Sequence, residues 1–315
     1  MISYALGFTR PARYLTRSPL LGVLKSCVVY CNGLEFQASR ITGEMGKGSL
    51  TISSPIPVRT SFTISHAIVH LAGLDDTLYF ATEAGHVWMG TIDIEKGILQ
   101  GTMISAEGLA GSEGVVLTPV RVDAGHHIAV ASCETGIVRA LTSSGACLFE
   151  VRVELDQIKF LGWSGNNLCV VCTQTLLTFS YETGKLEEVI RLPLNGASVL
   201  CGLVHKNMLL LGLNTRQVIS LDFTGSLLTT WTKGSKYEPC FIAPGTTDEM
   251  IIIAALSNEI TTQSASAKGA LQRGSEFRTD GAILGMAVLE ETVVCFTENT
   301  AYVSPLSCRC AESNA

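Results

Sequence analysis

Charge is scarce in this 315-residue chain. Only 16% of its residues are Asp, Glu, Lys or Arg, and the balance is −6. A clustered basic face, which non-specific nucleic-acid binding needs, has little material to form from, so no direct nucleic-acid contact is expected. Long apolar runs are absent too. None approaches the roughly 18 residues of a membrane-spanning helix, and the longest candidates, such as residues 250–256 (MIIIAAL), have the length of a strand. The positive mean hydropathy is accordingly read as buried sheet, with no membrane partner. No window repeats apolar residues every 3.6 positions behind a capping residue, which argues against a helical architecture. No Asn-X-Ser/Thr acceptor occurs, in keeping with a protein that is not secreted.

Catalytic and metal-binding motifs are also missing. The stretch GWSGN (162–166) lacks the G-x-S-x-G spacing of a nucleophile elbow and reads as a hairpin turn. In GEMGKGS (43–49) a glycine separates the lysine from the serine and no helix follows, so it reads as a loop and not as a phosphate cradle. His126 and His127 are adjacent, and neighbours in a strand point to opposite faces. His66 and His70 lie four apart on an expected inner strand, but no third ligand accompanies them. Cys169 and Cys172 lie in an apolar strand run at an odd offset, and Cys308 and Cys310 stand near one end, with no second knuckle for zinc. No metal and no cofactor is therefore expected.

Hydrophobic residues are plentiful at 47%, and the 11 cysteines, an odd number, mostly sit inside apolar runs such as CVVYC and NLCVVC. Buried thiols of this kind behave as small hydrophobes and imply a reducing compartment, cytoplasmic or nuclear. The first 34 residues carry Arg10, Arg13, Arg17 and Lys25 and no acid. That composition is shared by mitochondrial targeting segments, but Pro11 and Pro19 interrupt an amphipathic helix, and the topology gives the segment another use.

What the chain has in abundance is repetition. Seven stretches share a short apolar run, a polar turn, an alternating run and a small closing residue: residues 30–43, 81–97, 131–145, 171–184, 212–225, 255–269 and 296–308. They close at Gly43, Gly97, Gly145, Gly184, Gly225, Gly269 and Cys308, at intervals near the 40–50 residues of a propeller blade. In the second repeat, 67–71, 78–81, 86–92 and 99–104 read as four strands, with a turn at 73–76 after the first. The first repeat is less regular, with 49–52 as its outer strand. The Gly-rich segment 106–114 reads as a blade-to-blade loop, and the sixth blade has a weaker, more polar outer strand near 270–277, where the composition of 261–274 predicts a frayed edge. The seventh repeat lacks a fourth strand, whereas residues 2–8 (ISYALGF) form a strand with no blade. Pairing them closes the ring and hides a sheet edge. The expectation is all-β: one seven-bladed β-propeller over 1–310, four antiparallel strands to a blade, closed by the N-terminal strand, with a short disordered tail at 311–315.

The pieces SYETGKLEEV (180–189) and SLDFTGSLLTTW (220–231) resemble the outer-strand motif of quinoprotein-like repeats, and the repeat as a whole resembles the WD40-like and quinoprotein-like β-propeller superfamily over essentially the entire chain. No Trp follows Gly184 closely, Trp231 falls late, and no repeat ends in Trp-Asp. The resemblance therefore implies a fold more than an activity. The reading it supports is a non-catalytic scaffold that holds protein partners in a complex. A quinoprotein-like enzyme or cofactor-binding domain is the alternative, but the inner strands supply only His70 and Lys159 as ionisable groups. An accessory subunit of an RNA-modifying complex is a third. The turns between second and third strands carry Asn32, Glu83, Glu134, Gln174, Arg216, Asn258, Glu298 and Asn299. In a ring these share one face, and they are the expected docking residues, with a partner segment carrying basic residues.

Overall fold

The computed structural model describes residues 1–6, 20–43, 50–105, 109, 114–123, 125–153, 157–205, 208–232, 238–245, 250–255, 258–265 and 271–306. These form a β-propeller. Blade 2 is Ile68–Leu74, Thr77–Thr82, Val87–Asp93 and Ile98–Ser105. Blade 3 is Val115–Val122, Gly125–Ser132, Ile137–Thr142 and Cys147–Arg152, and blade 4 is Ile158–Ser164, Asn167–Cys172, Thr175–Ser180 and Leu186–Arg191. Blade 5 is Val199–His205, Met208–Leu213, Gln217–Leu221 and Leu227–Thr232, and blade 6 is Pro239–Pro244, Met250–Ala255, Glu259–Ala265 and Leu271–Arg278. Each is an antiparallel meander in chain order. Blade 7 takes three strands from Gly285–Leu289, Thr292–Phe296 and Thr300–Pro305. Its fourth is Ile2–Ala5, antiparallel to Thr300–Pro305 with Ile2 opposite Val303 and Ala5 opposite Thr300. The spare strand and the missing strand do complete each other.

Each blade is a sandwich filling. Successive side chains of a strand face opposite neighbours, so every blade-to-blade gap becomes a core. Cys169 packs towards blade 5 and Cys172 towards blade 3, both fully buried on opposite faces of blade 4. Tyr30 of blade 1 meets Phe296 of blade 7 edge-on at 5.5 Å, and the Leu20 N–H donates to the Leu284 carbonyl at 3.0 Å, joining the two ends of the ring. The nine cysteines among the described residues are free thiols.

Two local expectations need correction. Blade 1 (Leu21–Val23, Cys27–Cys31, Phe36–Thr42) has a fourth strand in two pieces, Thr51–Ile52 and Ile56–Thr60, not a single one at 49–52. At the break, Arg40 N–H donates to Ser53 Oγ and Ser53 N–H donates to the Arg40 carbonyl, both at 3.0 Å, so a side chain stands in for one rung of the ladder. The second piece also pairs in parallel with Ile98–Ser105, which fuses blades 1 and 2 into one nine-stranded sheet. No alternation within one repeat could reveal a partner on the next. In blade 2, Gly73 is strand and not turn; the chain reverses at Asp75–Asp76, with Asp75 in the left-handed region at φ 57°, which Asp tolerates better than most residues. In blade 6 the outer strand expected near 270–277 is Leu271–Arg278, paired with Glu259–Ala265 with a register shift between Thr261 and Gln263, and residues 266–270 lie outside the described residues. The expected loop 106–114 (apart from Leu109 and Gly114), the stretch 44–49, Cys308, Cys310 and the tail 311–315 lie outside the described residues.

An antiparallel meander sends its turns alternately to two faces of the ring. We call upper the face with the second-to-third turns and the blade-to-blade connections. The lower face carries the first-to-second and third-to-fourth turns, which meet there: Tyr181 N–H donates to the Asn166 carbonyl and Ser143 N–H to the His126 carbonyl.

Candidate docking face

On the upper face three of the expected polar turn residues, Asn32, Glu83 and Asn258, spend their side chains on the fold. Asn32 is 3% exposed, and its Oδ1 accepts the N–H groups of Leu34 at 3.0 Å and Glu35 at 2.8 Å. That is a correction: its oxygen shapes the turn from inside and presents nothing to a partner. Glu83 donates its N–H to the Ala67 carbonyl and its carboxylate accepts the Ala67 N–H at 3.3 Å. The Gln174 carbonyl accepts from Leu192, and Asn258, at φ 61°, donates its side-chain amide to the Thr279 carbonyl at 3.2 Å. The Asn299 carbonyl accepts the Leu6 N–H at 2.8 Å, and Glu298 beside it is half-buried. Glu134, Arg216 and Asn299 are exposed, but they belong to blades 3, 5 and 7 and intervening blades separate them. A hollow of about 350 Å³ lies beside Gln174 and Arg191 on this face.

The inner strands hold the two ionisable groups noted in the sequence. Lys159 donates to Gln157 Oε1 at 2.8 Å. His70 is buried, its Nδ1 3.4 Å from the Leu117 N–H, and burial pushes its pKa down to about 3. His66 lies before the strand and meets His86, ring centres 5.5 Å apart, instead of sharing a face with His70. An unfolded histidine protonates near 6.5. Between pH 6.5 and 3 the unfolded chain thus takes up a proton that folded His70 refuses, and stability falls as pH falls. Lowering the pH from 7 to 5 should cost about 2 kcal/mol through this residue, read as a lower urea midpoint, and His70→Gln should remove that part of the slope. An unchanged slope in the variant would assign the acid sensitivity elsewhere.

The lower face gathers a different set of residues. Asp75, in the first-to-second turn of blade 2, receives the Arg121 guanidinium and His126 Nε2 (3.0 Å) from blade 3, with the Lys25 amine of blade 1 at 3.5 Å. Tyr79 Oη lies 2.6 Å from His126 Nδ1. With the hydroxyl donating, His126 carries its proton on Nε2 and donates it to Asp75. Burial, then the charges of Arg121 and Lys25, hold the His126 pKa below its ordinary value, so the ring is neutral. The hydroxyl–imidazole–carboxylate order has the form of a nucleophile with its base, but Tyr79 is sealed from solvent and burial pushes its pKa up to about 12. No substrate reaches that oxygen. The cluster clasps three blades together and neutralises Arg121.

Beside the clasp a groove of about 420 Å³ runs between blades 3 and 4, lined by Val120, Arg121, Val122, Asp123, Trp163, Gly165, Asn166, Tyr181 and Glu182. Trp163 spends its indole N–H on the Thr118 carbonyl at 3.1 Å and meets Tyr181 edge-on at 6.1 Å; Tyr181 in turn lies against the buried His127 ring at 5.0 Å. The aromatic floor is thus fixed from behind. With Arg121 occupied by Asp75, Asp123 and Glu182 supply the groove's remaining formal charge, and both are exposed carboxylates. GWSGN, the turn that presents Trp163 and Asn166, is a hairpin with Gly165 at φ 55°. Sequence reading passed over these residues because they come from separate repeats, and a lone aromatic near a turn carries no signal by itself. Among the described residues no group of three His, Cys, Asp or Glu side chains is placed to hold a metal ion.

The ring as a whole is similar to BamB from Moraxella catarrhalis, with a TM-score of 0.57 and 17% identity over 90% of this chain and 83% of that one. It is also similar to a chain in the crystal structure of the mitotic checkpoint complex, with a TM-score of 0.66 and 13% identity over 95% of this chain and 92% of that one. No family model and no curated protein matches the sequence. The shared feature at these identities is the propeller fold.

Proposed function

We propose that this protein is a non-catalytic scaffold that binds protein partners, and that the lower face across blades 3 and 4 docks a basic segment of such a partner. The observation that carries this is the groove floored by Trp163 and Tyr181 and flanked by Asp123 and Glu182. Rigid aromatic surface offers contact area at little entropic cost, and carboxylates beside it select cations. One of the solved structures it resembles is part of a complex, which suits a scaffold. A reducing location, cytoplasmic or nuclear, fits the free thiols. Burial pushes the Cys27 thiol up to about 11 and those of Cys31 and Cys169 to about 12, which leaves them unreactive.

The test is purification of the tagged chain with identification of co-purifying proteins, repeated with Asp123→Lys plus Glu182→Lys. Recovery of the partner should fall about tenfold or more and should weaken with added salt. Thermal stability should stay within about 0.5 kcal/mol of the parent, since both sites are exposed turns. The upper-face pair Glu134→Lys plus Arg216→Glu should leave recovery unchanged. Loss with the upper pair alone would move the docking site to the other face.

A further inference from the structure

Blades 3, 4 and 5 share a bulge at the same place in their outer strands. In blade 3, Cys147 pairs with Leu141 and Phe149 with Ala140, which leaves Leu148 as the extra residue. In blade 4, Leu186 pairs with Phe179 and Glu188 with Thr178, and Glu187 is extra. In blade 5, Leu227 pairs with Leu221 and Thr229 with Ser220. Phe149 and Glu188 are therefore equivalent positions. Between blades 3 and 4, Phe149 fills the cleft so closely that a Cβ on Gly184 of the next blade would lie 2.6 Å from its Cβ and Cγ. Between blades 4 and 5 the aromatic ring is replaced by a carboxylate, and an open cleft of about 440 Å³ remains.

The cleft is lined by Ser164, Asn167, Cys169, Thr178, Glu187, Glu188 and Phe223. Cys169, Thr178 and Glu188 are direct cross-strand partners and so share the face turned to blade 5. The bulge brings the adjacent Glu187 to the same cleft, where strict alternation would have sent it away. Thr178 is the deepest polar group. It is 5% exposed and lines the cleft. The two carboxylates accept only, the two hydroxyls and the amide can accept as well as donate, and Phe223 adds one aromatic ring, so the cleft is rich in acceptors and negatively charged. The chemical complement is a planar cation rich in N–H donors. A guanidinium has five donors in a fixed fork that suits paired carboxylates, and it stacks on aromatic faces; an ammonium has three and does neither as well.

We propose that the cleft between blades 4 and 5 is a pocket for an arginine side chain presented by an extended segment of a partner protein. The source of the arginine rests on the scaffold reading, whereas the chemistry of the pocket does not. Glu187 and Glu188 hold the guanidinium, Thr178 accepts from its inner edge, and Phe223 covers its face.

Isotope-labelled full-length protein titrated with acetyl-Gly-Arg-Gly-amide, and in parallel with the lysine and citrulline tripeptides, tests this without any partner. The arginine peptide should shift the amide resonances of Asn167, Glu187, Glu188 and Phe223. The lysine peptide should bind about fivefold or more weakly and the uncharged citrulline peptide not measurably. Glu187→Gln plus Glu188→Gln should weaken the arginine peptide about tenfold or more, and Thr178→Val, a near-isostere, about threefold. Equal binding of arginine and citrulline, equal binding of arginine and lysine, or binding indifferent to the Gln pair would each overturn the proposal. An arginine response in a chain that recovers no partner would sink the scaffold reading and leave the pocket standing. Partner capture that survives the Gln pair would remove the pocket's assigned role in docking.

Discussion

Removal of residues 1–6 is expected to lower the free energy of unfolding by about 4–6 kcal/mol and the melting temperature by about 10 °C or more. The strand Ile2–Ala5 pairs with Thr300–Pro305 along its whole length, and Leu6 adds an N–H to the Asn299 carbonyl at 2.8 Å. At about 1 kcal/mol net for each backbone bond, the ladder supplies most of the loss. Leu6 is buried in the core shared by blades 7, 1 and 2, and losing its side chain from there costs about 2 kcal/mol more. Tyr4 also donates its hydroxyl to the Ile52 carbonyl of blade 1 at 2.9 Å, so the strand ties one blade to the next as well as completing its own. Beyond the energy, the deletion bares the edge of Thr300–Pro305, and the shortened protein should self-associate more readily. Calorimetry with light scattering reads both effects. A melting temperature equal to that of the full chain would mean that this strand does not close the ring.

The second large effect is expected at Gly73. A Cβ there would lie 2.0 Å from the Val23 carbonyl oxygen and 2.7 Å and 2.8 Å from its carbon and nitrogen. The obstacle is the backbone of the neighbouring inner strand, which has no rotamer to escape into. On the opposing strand, a Cβ on Gly22 would meet Leu78 at 2.7 Å. Blades 1 and 2 therefore abut through bare backbone at the hub. Gly73→Ala should cost about 3 kcal/mol or more, although Gly-to-Ala in an ordinary strand position is neutral or favourable. Gly281→Ala is the control, because its Cβ would meet only Thr297 at an ordinary 3.7 Å. If the two variants melt together, the close approach of the inner strands is not what holds these blades.

The two effects differ in how far the sequence could foretell them. The closing strand was legible: a run of strand-forming residues with no blade and a blade with no fourth strand are both visible in the order of residues. Gly73 was not, and it reads as a turn because a glycine and two aspartates within four residues (Gly73, Leu74, Asp75, Asp76) usually reverse a chain. Its need for a bare Cα comes from Val23, fifty residues earlier on another blade. The same holds for Thr178, an ordinary alternating residue of its strand until Phe223 of blade 5 is set across from it. Asn32 shows the converse error: a polar turn residue that looks solvated, yet its side chain is turned inward to hold the turn's own N–H groups.

The order of residues by itself determined the repeat, the strand alternation, the hairpin turns and the use of the N-terminal strand, because each depends on contacts within one blade or on the bare count of strands. Tertiary structure alone decided the fusion of blades 1 and 2 through Ile56–Thr60, the clasp around Asp75, the aromatic groove between blades 3 and 4, and the acceptor-lined cleft between blades 4 and 5. Each of these forms where residues about one repeat apart are brought together, through backbone in the fused sheet and through side chains in the other three. A strand's alternation says that a residue points between two blades; what it meets there is set by the neighbouring blade's register, bulges and turns.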